Sequence, residues 1–262
     1  MKARQLPISI NMAKIVILGS ANAIPDERHE NTHMAVIGQE RTLLIDCVSN
    51  PIVRLAQANI DLKNITDLVL THFHPDHVSG VPLLIMDMWL LGRRVPLHIY
   101  GLVETLDRVK GVMDFYGWEH WPNFYPVTFH RIPAVEMAPV LENEEFRVIS
   151  SPVQHLIPTI GVRVEFPQSS KAFAYSCDTE PCPQVVGLGT GADVLIHEAA
   201  GASKGHSSPG QAGEIAREAR AGCLYLIHYP TRGFPTEPML EEARLSFGGP
   251  VFLAEDFMEI EI

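Results

Sequence analysis

Three histidines and an aspartate stand within six consecutive residues, in the loop Thr71–His77, which reads Thr-His-Phe-His-Pro-Asp-His. His72 and His74 are two positions apart, so in an extended segment their side chains point to the same side and can share one metal ion. The proline that follows turns the chain, which allows Asp76 and His77 to face a second ion. A loop so rich in imidazole and carboxylate predicts a metal site, because these groups are common protein ligands of Zn²⁺ and related ions.

Further candidate ligands stand at the ends of other predicted strands. His155, Asp178 and His228 each follow a run rich in apolar and β-branched residues. Because polar groups at the C-terminal ends of neighbouring strands meet at one edge of a sheet, we expect these side chains to approach the histidine loop. The sequence therefore predicts a set of seven metal ligands: His72, His74, Asp76, His77, His155, Asp178 and His228.

The elements that must position these ligands are short strands separated by helices. Ten β-rich runs predict a sheet-dominated core, at residues 15–18, 43–45, 68–70, 97–100, 148–149, 162–166, 172–175, 194–196, 224–227 and 251–253. Five stretches have helical character, at residues 51–58, 81–91, 103–116, 208–221 and 236–246. Ser208 followed by Pro209 predicts the start of the fourth helix. We expect residues 12–262 to form a single domain, with residues 1–11 as an extension outside it.

The least regular part of the chain is the Pro-rich segment 118–139, which predicts a loop or a small excursion from the core. A cluster of aromatic residues overlaps its beginning, at residues 115–125. These rings fit three alternatives: the lining of a substrate entrance, a dimer contact, or a small hydrophobic cluster under a long loop.

The composition limits the classes of function. The chain has 20 Lys and Arg against 31 Asp and Glu, a formal net charge of −11, which argues against a broad nucleic-acid-binding face. With 46% hydrophobic and 19% charged residues it can bury a sizeable core. Its four cysteines are too scattered for a disulfide framework. No segment has the pattern of a signal peptide or a membrane span, so we expect a cytoplasmic protein.

With these motifs the chain resembles the metallo-β-lactamase superfamily, and within it ribonuclease Z and related compact phosphodiesterases. The histidine loop matches the superfamily signature His-x-His-x-Asp-His. Further similarity lies in residues 19–25, 44–46, 77–82, 155–163, 175–179, 197–200, 206–208 and 226–229. The resemblance implies an α+β fold, a four-layer αββα sandwich with a dinuclear metal site at one edge of the sheets. It also implies a homodimer.

The resemblance divides the seven ligands between two ions. His72, His74 and His155 hold the first, Asp76, His77 and His228 hold the second, and Asp178 is the bridge. Zn²⁺ suits such a set of nitrogen and oxygen ligands, with Mn²⁺ or Fe as alternatives. In this reaction pattern a hydroxide that bridges the ions attacks the substrate, and Asp76 also orients the water from which it forms.

A general acid is also implied by the resemblance. His206 matches the histidine that faces the scissile phosphate in the ribonuclease Z group, and Glu198 matches the glutamate paired with it. A carboxylate behind an imidazole fixes its tautomer and stabilises its protonated form. The alternative for His206 is an ordinary exposed histidine in a loop.

The leading hypothesis is a metal-dependent phosphodiesterase that acts on a small or cyclic phosphate diester. Long-form ribonuclease Z carries an arm for transfer RNA between the motifs of His155 and Asp178, which here are only 23 positions apart. One alternative is a ribonuclease Z-type transfer-RNA 3′ endonuclease that lacks this arm and recruits RNA through other surfaces or a dimer partner. Another is hydrolysis of a sulfate or carboxylic ester or a lactone. A non-enzymatic scaffold conflicts with the presence of all seven ligands together with Glu198 and His206.

Overall fold

The first half of the chain builds one seven-stranded sheet in the computed structural model, which describes residues 13–262. Its strands are β1 (Lys14–Gly19), β2 (His33–Ile37), β3 (Thr42–Ile45), β4 (Ile65–Val69), β5 (Leu97–Leu102) and β6 (Val127–Ile132). They lie side by side in chain order, and β3 to β6 are parallel. The parallel connections contain the helices α1 (Pro51–Gln57), α2 (Pro75–Val78), α3 (Val81–Leu90) and α4 (Val103–Phe115).

The second half builds a second sheet of seven strands. These are β7 (Ala138–Glu142), β8 (Arg147–Val153), β9 (Thr159–Phe166), β10 (Lys171–Tyr175), β11 (Val194–Glu198), β12 (Cys223–Ile227) and β13 (Val251–Leu253). β7 to β10 are antiparallel, whereas β10 to β13 are parallel and are connected through α5 (Pro183–Gly189), α6 (Pro209–Ala219) and α7 (Thr236–Phe247). The last strand, β14 (Glu259–Glu261), returns to the first sheet and pairs with β1.

The two sheets pack face to face, and helices cover the outer face of each. In β1, Ile15 and Ile17 point between the sheets, while Val16 and Leu18 point toward the helices. This follows from the period of two in a strand, and it requires apolar residues at consecutive positions. α1, α3 and α4 cover the first sheet, and α5, α6 and α7 cover the second. The four-layer α+β sandwich expected from the sequence is confirmed.

All ten predicted strands and all five predicted helices are present, with bounds that differ by a few residues. The prediction of an irregular segment at residues 118–139 is wrong in its second half, where β6 and the start of β7 form. β6 is an edge strand with half-exposed residues, so it lacks a continuous apolar run. No helix of residues 13–262 has the length and apolar character needed to cross a membrane. The extension expected at residues 1–11 lies outside the described residues.

Most of the aromatic cluster at residues 115–125 packs on the first sheet's helix layer. Trp118, Trp121 and Phe124 contact this core, and Tyr125 is fully buried. By contrast, Phe115 at the end of α4 is 93% exposed. Of the three alternatives, the small hydrophobic cluster describes the packed rings.

The predicted start of α6 is confirmed in detail. Ser208 is the N-cap, its side chain accepts a hydrogen bond from the Gln211 backbone, and the Gln211 side chain bonds back to the Ser208 backbone. Pro209 is the first helical residue. A capping box of this kind fixes the angle at which the preceding loop enters the helix. That loop contains His206.

Gly213, in the middle of α6, allows α7 to approach closely, so Gly213→Ala should destabilise the fold. A Cβ atom there would lie 2.5 Å from the Ala243 carbonyl oxygen, and overpacking of this kind costs about 1–3 kcal/mol. Gly111 in α4 is the matched control, because nothing lies within 4 Å of its Cβ position. Gly111→Ala should raise the free energy of unfolding by about 0.5–1 kcal/mol. Urea denaturation measures both, and effects of the same sign would contradict the close helix packing.

Candidate metal centre and active site

The predicted ligands meet at one edge of the sandwich, where the strands that precede them end. The loop Thr71–His77 follows β4 of the first sheet, and α2 begins inside it at Pro75. In the second sheet, His155 follows β8, Asp178 follows β10 and His228 follows β12. Both sheets therefore contribute to a single site, as the strand ends predict.

Among the described residues, five overlapping clusters have ligand atoms that all lie within 4.8 Å of one another, and two of these groups together contain all seven predicted ligands. In the first group, His74 Nδ1 lies 3.0 Å from His72 Nε2 and 3.2 Å from His155 Nε2. The second group consists of Asp76, His77, Asp178 and His228. These two groups correspond to the division that the resemblance implies for two ions, while a third cluster, His72, His77 and Cys177, crosses it.

Asp178 lies between the two groups. Its Oδ1 is 3.5 Å from His77 Nε2, and its Oδ2 is 3.4 Å from His228 Nε2. The same Oδ2 is 3.9 Å from Nε2 of His155, which belongs to the first group. The carboxylate is 2% exposed and lies within 4 Å of ligand atoms of both groups, which is the position that a bridge between two ions would occupy.

A buried carboxylate behind the ligands, Asp46, orients two of the imidazole rings. His77 Nδ1 donates to Asp46 Oδ2 over 2.7 Å. The Thr71 hydroxyl donates to the same oxygen over 2.8 Å and accepts from His72 Nδ1 over 3.1 Å. With Nδ1 occupied, Nε2 of each ring is the nitrogen that faces the other ligands.

The backbone at three strand ends of the site is left-handed. Asp46 has φ 60°, Cys177 has φ 55° and His228 has φ 53°. For a residue other than glycine this conformation costs roughly 1–2 kcal/mol. Backbone strain concentrates where a fold needs a side chain in one defined place. At these three positions the left-handed backbone turns the chain sharply where each strand reaches the site.

Several buried polar atoms of the site have no hydrogen-bond partner within residues 13–262: His77 Nε2, Asp178 Oδ1 and both ring nitrogens of His228. Buried polar atoms are nearly always paired, so this concentration points to a ligand other than the protein itself. Nitrogen and oxygen donors at these spacings suit divalent ions of the zinc class. The residues therefore fit the metal ions that the superfamily fold implies.

The protonation states of the ligands differ between the two groups. Burial lowers the pKa of all three imidazoles of the first group, His72, His74 and His155, which keeps them neutral at pH 7. Burial also opposes the charge of His77, but Asp178 and Asp46 together raise its pKa well above the usual range. Burial likewise opposes ionisation of Asp178, yet His228 and His77 hold its pKa well below the usual range. A cation held by the second group would have to displace the His77 proton, and its affinity would therefore rise with pH.

His206 and Glu198 form a pair beside the ligands. His206 Nδ1 donates to Glu198 Oε1 over 3.0 Å. The buried carboxylate also accepts from the backbone N–H groups of Thr179, Ser207 and Ala200, which hold it in place. The hydrogen bond to Glu198 raises the pKa of His206. Burial raises the pKa of Glu198, although the bond from His206 partly offsets this.

A cavity of about 200 Å³ opens onto the ligands and the His206 ring. The described residues that line it are Asn22, Ala23, His74, Asp76, His155, Leu156, Asp178, Ala200, His206 and His228. The His206 ring lies parallel to that of His228 at 5.8 Å and edge-on to that of His155 at 5.0 Å. His206 is therefore part of the cavity wall and not an isolated loop histidine. No ring of the aromatic segment 115–125 is among the described residues that line this cavity.

A family model described as the beta-lactamase superfamily domain matches residues 41–229. The chain belongs to this superfamily. Ribonuclease Z of Methanothermobacter thermautotrophicus is 28% identical over 307 residues, covering 96% of this chain and 97% of the relative. The short form of human tRNase Z is 25% identical with a TM-score of 0.78, covering 95% of this chain and 99% of that chain. The metallo-beta-lactamase fold protein YhfI from Bacillus subtilis is 22% identical with a TM-score of 0.79, covering 95% of this chain and 99% of that chain.

Superfamily membership identifies the protein as a metal-dependent hydrolase related to ribonuclease Z. The alignment with the archaeal relative is longer than the 262-residue chain, so that relative has segments with no counterpart here. Divalent ions are the cofactors that the superfamily fold implies.

Sequence reasoning missed several residues that hold the ligands of this superfamily site. The Thr71 hydroxyl connects His72 to Asp46, and the Gly205 carbonyl accepts a hydrogen bond from His155 Nδ1 over 2.7 Å. Thr71 stands at a strand end, so the argument that found the ligands could also have found it. No pattern in the sequence connects Gly205 with a histidine 50 positions away.

The pair of His206 and Glu198 predicts a pKa of His206 that depends on the carboxylate. In the metal-free protein this pKa should lie above about 6.5, and Glu198→Gln should lower it. Imidazole ¹H–¹⁵N NMR titration of the wild type and of Glu198→Gln measures the shift. An unchanged His206 pKa in the variant would contradict the pairing.

Because the pKa of His206 is raised, the pair of His206 and Glu198 stabilises the fold only within a limited pH range. Because the folded-state pKa of His206 is raised, the pair stabilises the fold fully below about pH 6.5, down to the pH at which Glu198 takes up a proton. This stabilisation is lost as pH rises through the folded-state pKa of His206. Unfolding of the wild type and of Glu198→Gln should therefore differ most in weakly acidic solution.

Proposed function

We propose that the protein is a phosphodiesterase that binds two divalent ions and hydrolyses a small or cyclic phosphate diester. The observation that carries this proposal is the cavity of about 200 Å³, whose walls include His206 and members of both ligand groups, namely His74, His155, Asp76, Asp178 and His228. Among the described residues that line it there is no Lys or Arg. A pocket of this size admits a phosphate diester with small substituents, and the positive charge that attracts it comes from the bound ions.

We assign the seven ligands to two ions, most consistently Zn²⁺ for a donor set of imidazole and carboxylate. His72, His74 and His155 would hold the first ion, Asp76, His77 and His228 would hold the second, and Asp178 would contribute to both. The spacing of the two groups and the position of Asp178 support this assignment. Two divalent ions outweigh the charge of two carboxylates, so the centre is positive despite the acidic chain.

The proposed hydrolysis needs one side chain that orients the attacking water and another that donates a proton to the leaving oxygen. When bound, the divalent ions supply Lewis-acid activation of water and of the phosphoryl oxygens. Asp76, whose side chain is 15% exposed, accepts a hydrogen bond from the attacking water and orients it toward phosphorus. His206 donates through Nδ1 to Glu198, so its Nε2 faces the cavity and carries the proton for the leaving oxygen. Glu198 stabilises the doubly protonated ring until that transfer occurs.

The connection between His155 and Asp178 supports a small substrate. In the described structure this stretch consists of the β9–β10 hairpin with the turn 167–170, and no arm extends from it. A long RNA would have to be held by other surfaces of a chain with a net charge of −11, which weakens contacts to a phosphate backbone.

A second candidate is cleavage of transfer RNA at its 3′ side. The observation that favours it is that relatives named ribonuclease Z match this chain over nearly its whole length. In this alternative the homodimer expected by analogy supplies part of the RNA surface. Hydrolysis of a sulfate or carboxylic ester or a lactone remains a third candidate for the same ligand set.

Asp178→Ala should reduce the number of tightly bound metal ions from two per chain to one or none, because this carboxylate lies between both ligand groups. Metal analysis after dialysis gives the count, and the rise of the unfolding temperature with added Zn²⁺ should shrink in the variant. Asp193→Ala is the control, since Asp193 pairs with Lys171 at the opposite end of β11. Two retained ions in Asp178→Ala would contradict the bridge.

A substrate panel separates the candidate functions. With Zn²⁺ or Mn²⁺, kcat/KM should be higher for cyclic nucleotides and bis(p-nitrophenyl) phosphate than for precursor transfer RNA, sulfate esters, carboxylic esters or lactones. Specific 3′ processing of the transfer RNA at a higher kcat/KM would instead support the second candidate. Turnover of the esters or lactones alone would exclude phosphodiester hydrolysis as the main activity.

His206→Ala on the same panel tests the proton donor. It should keep its metal but lose about 100-fold or more of kcat on a cyclic nucleotide, whose alkoxide leaving group needs a proton. The loss should be smaller on bis(p-nitrophenyl) phosphate, because p-nitrophenolate leaves without one. His120→Ala is the matched control, as His120 is a surface histidine. Unchanged turnover of both diesters by His206→Ala would rule out the acid role.

A further inference from the structure

We propose that Glu180 is a positioning residue of the active site, whose carboxylate holds the turn Ser203–His206 where it orients both His155 and His206. This inference rests on the roles proposed for those two histidines. Glu180 is half-buried and stands two positions after Asp178. Among residues 13–262 it belongs to none of the clusters that could hold a metal ion. Its effect on the reaction is therefore indirect.

Gly205 connects Glu180 to His155 through its two backbone polar groups. Its backbone N–H donates to Glu180 Oε1 over 2.9 Å, and its carbonyl accepts from His155 Nδ1 over 2.7 Å. The next residue is His206, whose N–H closes the turn by donating to the Ser203 carbonyl over 3.0 Å. A shift of this turn therefore moves the acceptor behind His155 and the backbone of His206 together.

The turn lies so close to His155 that only glycine fits at its centre. Gly205 has φ +82°, and a Cβ atom there would lie 2.9 Å from His155 Nδ1. The residue after the turn, Ser207, is held by its hydroxyl, which donates to the Thr179 carbonyl over 2.7 Å. Within the turn, the restraint is the hydrogen bond from Gly205 to Glu180.

Glu180 is itself fixed relative to the ligands. Its N–H donates over 2.8 Å to the carbonyl of Gln154, the residue before His155. The Gln154 N–H donates over 3.1 Å to the Thr179 hydroxyl. The segment Asp178–Glu180 thus joins the bridging carboxylate, the backbone beside His155 and the turn. A carboxylate on such a segment has a defined place, and supporting contacts of this kind set the geometry of a site.

Both histidines need the turn for a chemical reason. His155 serves as a ligand through Nε2 only when its proton is on Nδ1, and the Gly205 carbonyl selects this tautomer. His206 must present Nε2 to the leaving oxygen while Nδ1 stays on Glu198. Release of the turn disturbs both requirements, whereas loss of an ordinary surface contact disturbs neither.

Glu180→Ala should therefore lower kcat on a cyclic nucleotide about 10-fold or more, with a smaller loss on bis(p-nitrophenyl) phosphate and little change in KM. It should also weaken Zn²⁺ affinity about 10-fold in competition with a chelating dye. Glu180→Gln should restore both values, because the amide oxygen accepts the same hydrogen bond from Gly205. Gly205→Ala should reproduce the losses, since it displaces the turn directly. Glu241→Ala, a surface change on α7, is the control.

Two outcomes would overturn the positioning role: a loss in Glu180→Gln as large as in Glu180→Ala, or a Glu180→Ala variant in which only KM changes. His206→Ala, measured in parallel, separates this inference from the proposed function. If neither the wild type nor His206→Ala turns over the diesters, the proposed function fails, and if both turn them over equally, only the acid role of His206 fails. In both cases the zinc affinity tests the role of Glu180. Equal affinities of the wild type and Glu180→Ala would then reject the role of Glu180.

Discussion

The Asp178 carboxylate is buried where the two sheets meet, and a charge in that position must be compensated. It is 2% exposed, and its oxygens face the Nε2 atoms of His77, His155 and His228. An uncompensated buried carboxylate would cost more than the net stability of a domain, so the sandwich has to bring partners to it from both sheets. The imidazoles leave Asp178 Oδ1 without a hydrogen bond within residues 13–262. Divalent ions held by these residues would complete the compensation and would couple metal binding to the packing of one sheet on the other.

A second layer of acceptors decides what each imidazole can do. Asp46 stands behind His77, Glu198 behind His206, and the Gly205 carbonyl behind His155. In all three rings Nδ1 points outward to the acceptor, which leaves Nε2 facing inward. The acceptor's charge matters as well. A carboxylate raises the pKa of His206, whereas burial outweighs the neutral carbonyl and lowers that of His155. Two neighbouring histidines are thereby suited to opposite tasks, one to hold a proton and the other to offer a lone pair.

The sequence predicts those parts of the structure that depend on local pattern. Strands buried on both faces require apolar runs, and ten of the fourteen described strands coincide with apolar runs in the sequence. The four strands that the sequence does not reveal are β2, β6, β7 and β14. β6, β7 and β14 lie at sheet edges and have exposed residues, whereas β2 is central and buried. The ligands are recognisable because they concentrate at strand ends and match a known signature. The contacts of Glu180, Gly205 and Thr71 are not, because they use backbone atoms or hydroxyls of residues far apart in the chain. Only the folded geometry brings these groups together.

The acidic composition and the positive metal centre act over different distances. At physiological ionic strength the Debye length is about 8 Å, so the surface charges that make up the net −11 are largely screened from a ligand inside the cavity. Within that cavity of about 200 Å³ the ions and their ligands set the potential. A small diester experiences mainly this centre once it has entered. Under the proposed function, a long polyanion would also meet charges outside the cavity, where the net charge of −11 opposes the binding of a phosphate backbone. The charge of the chain would then favour a small diester over a long one, although both carry the same reacting group.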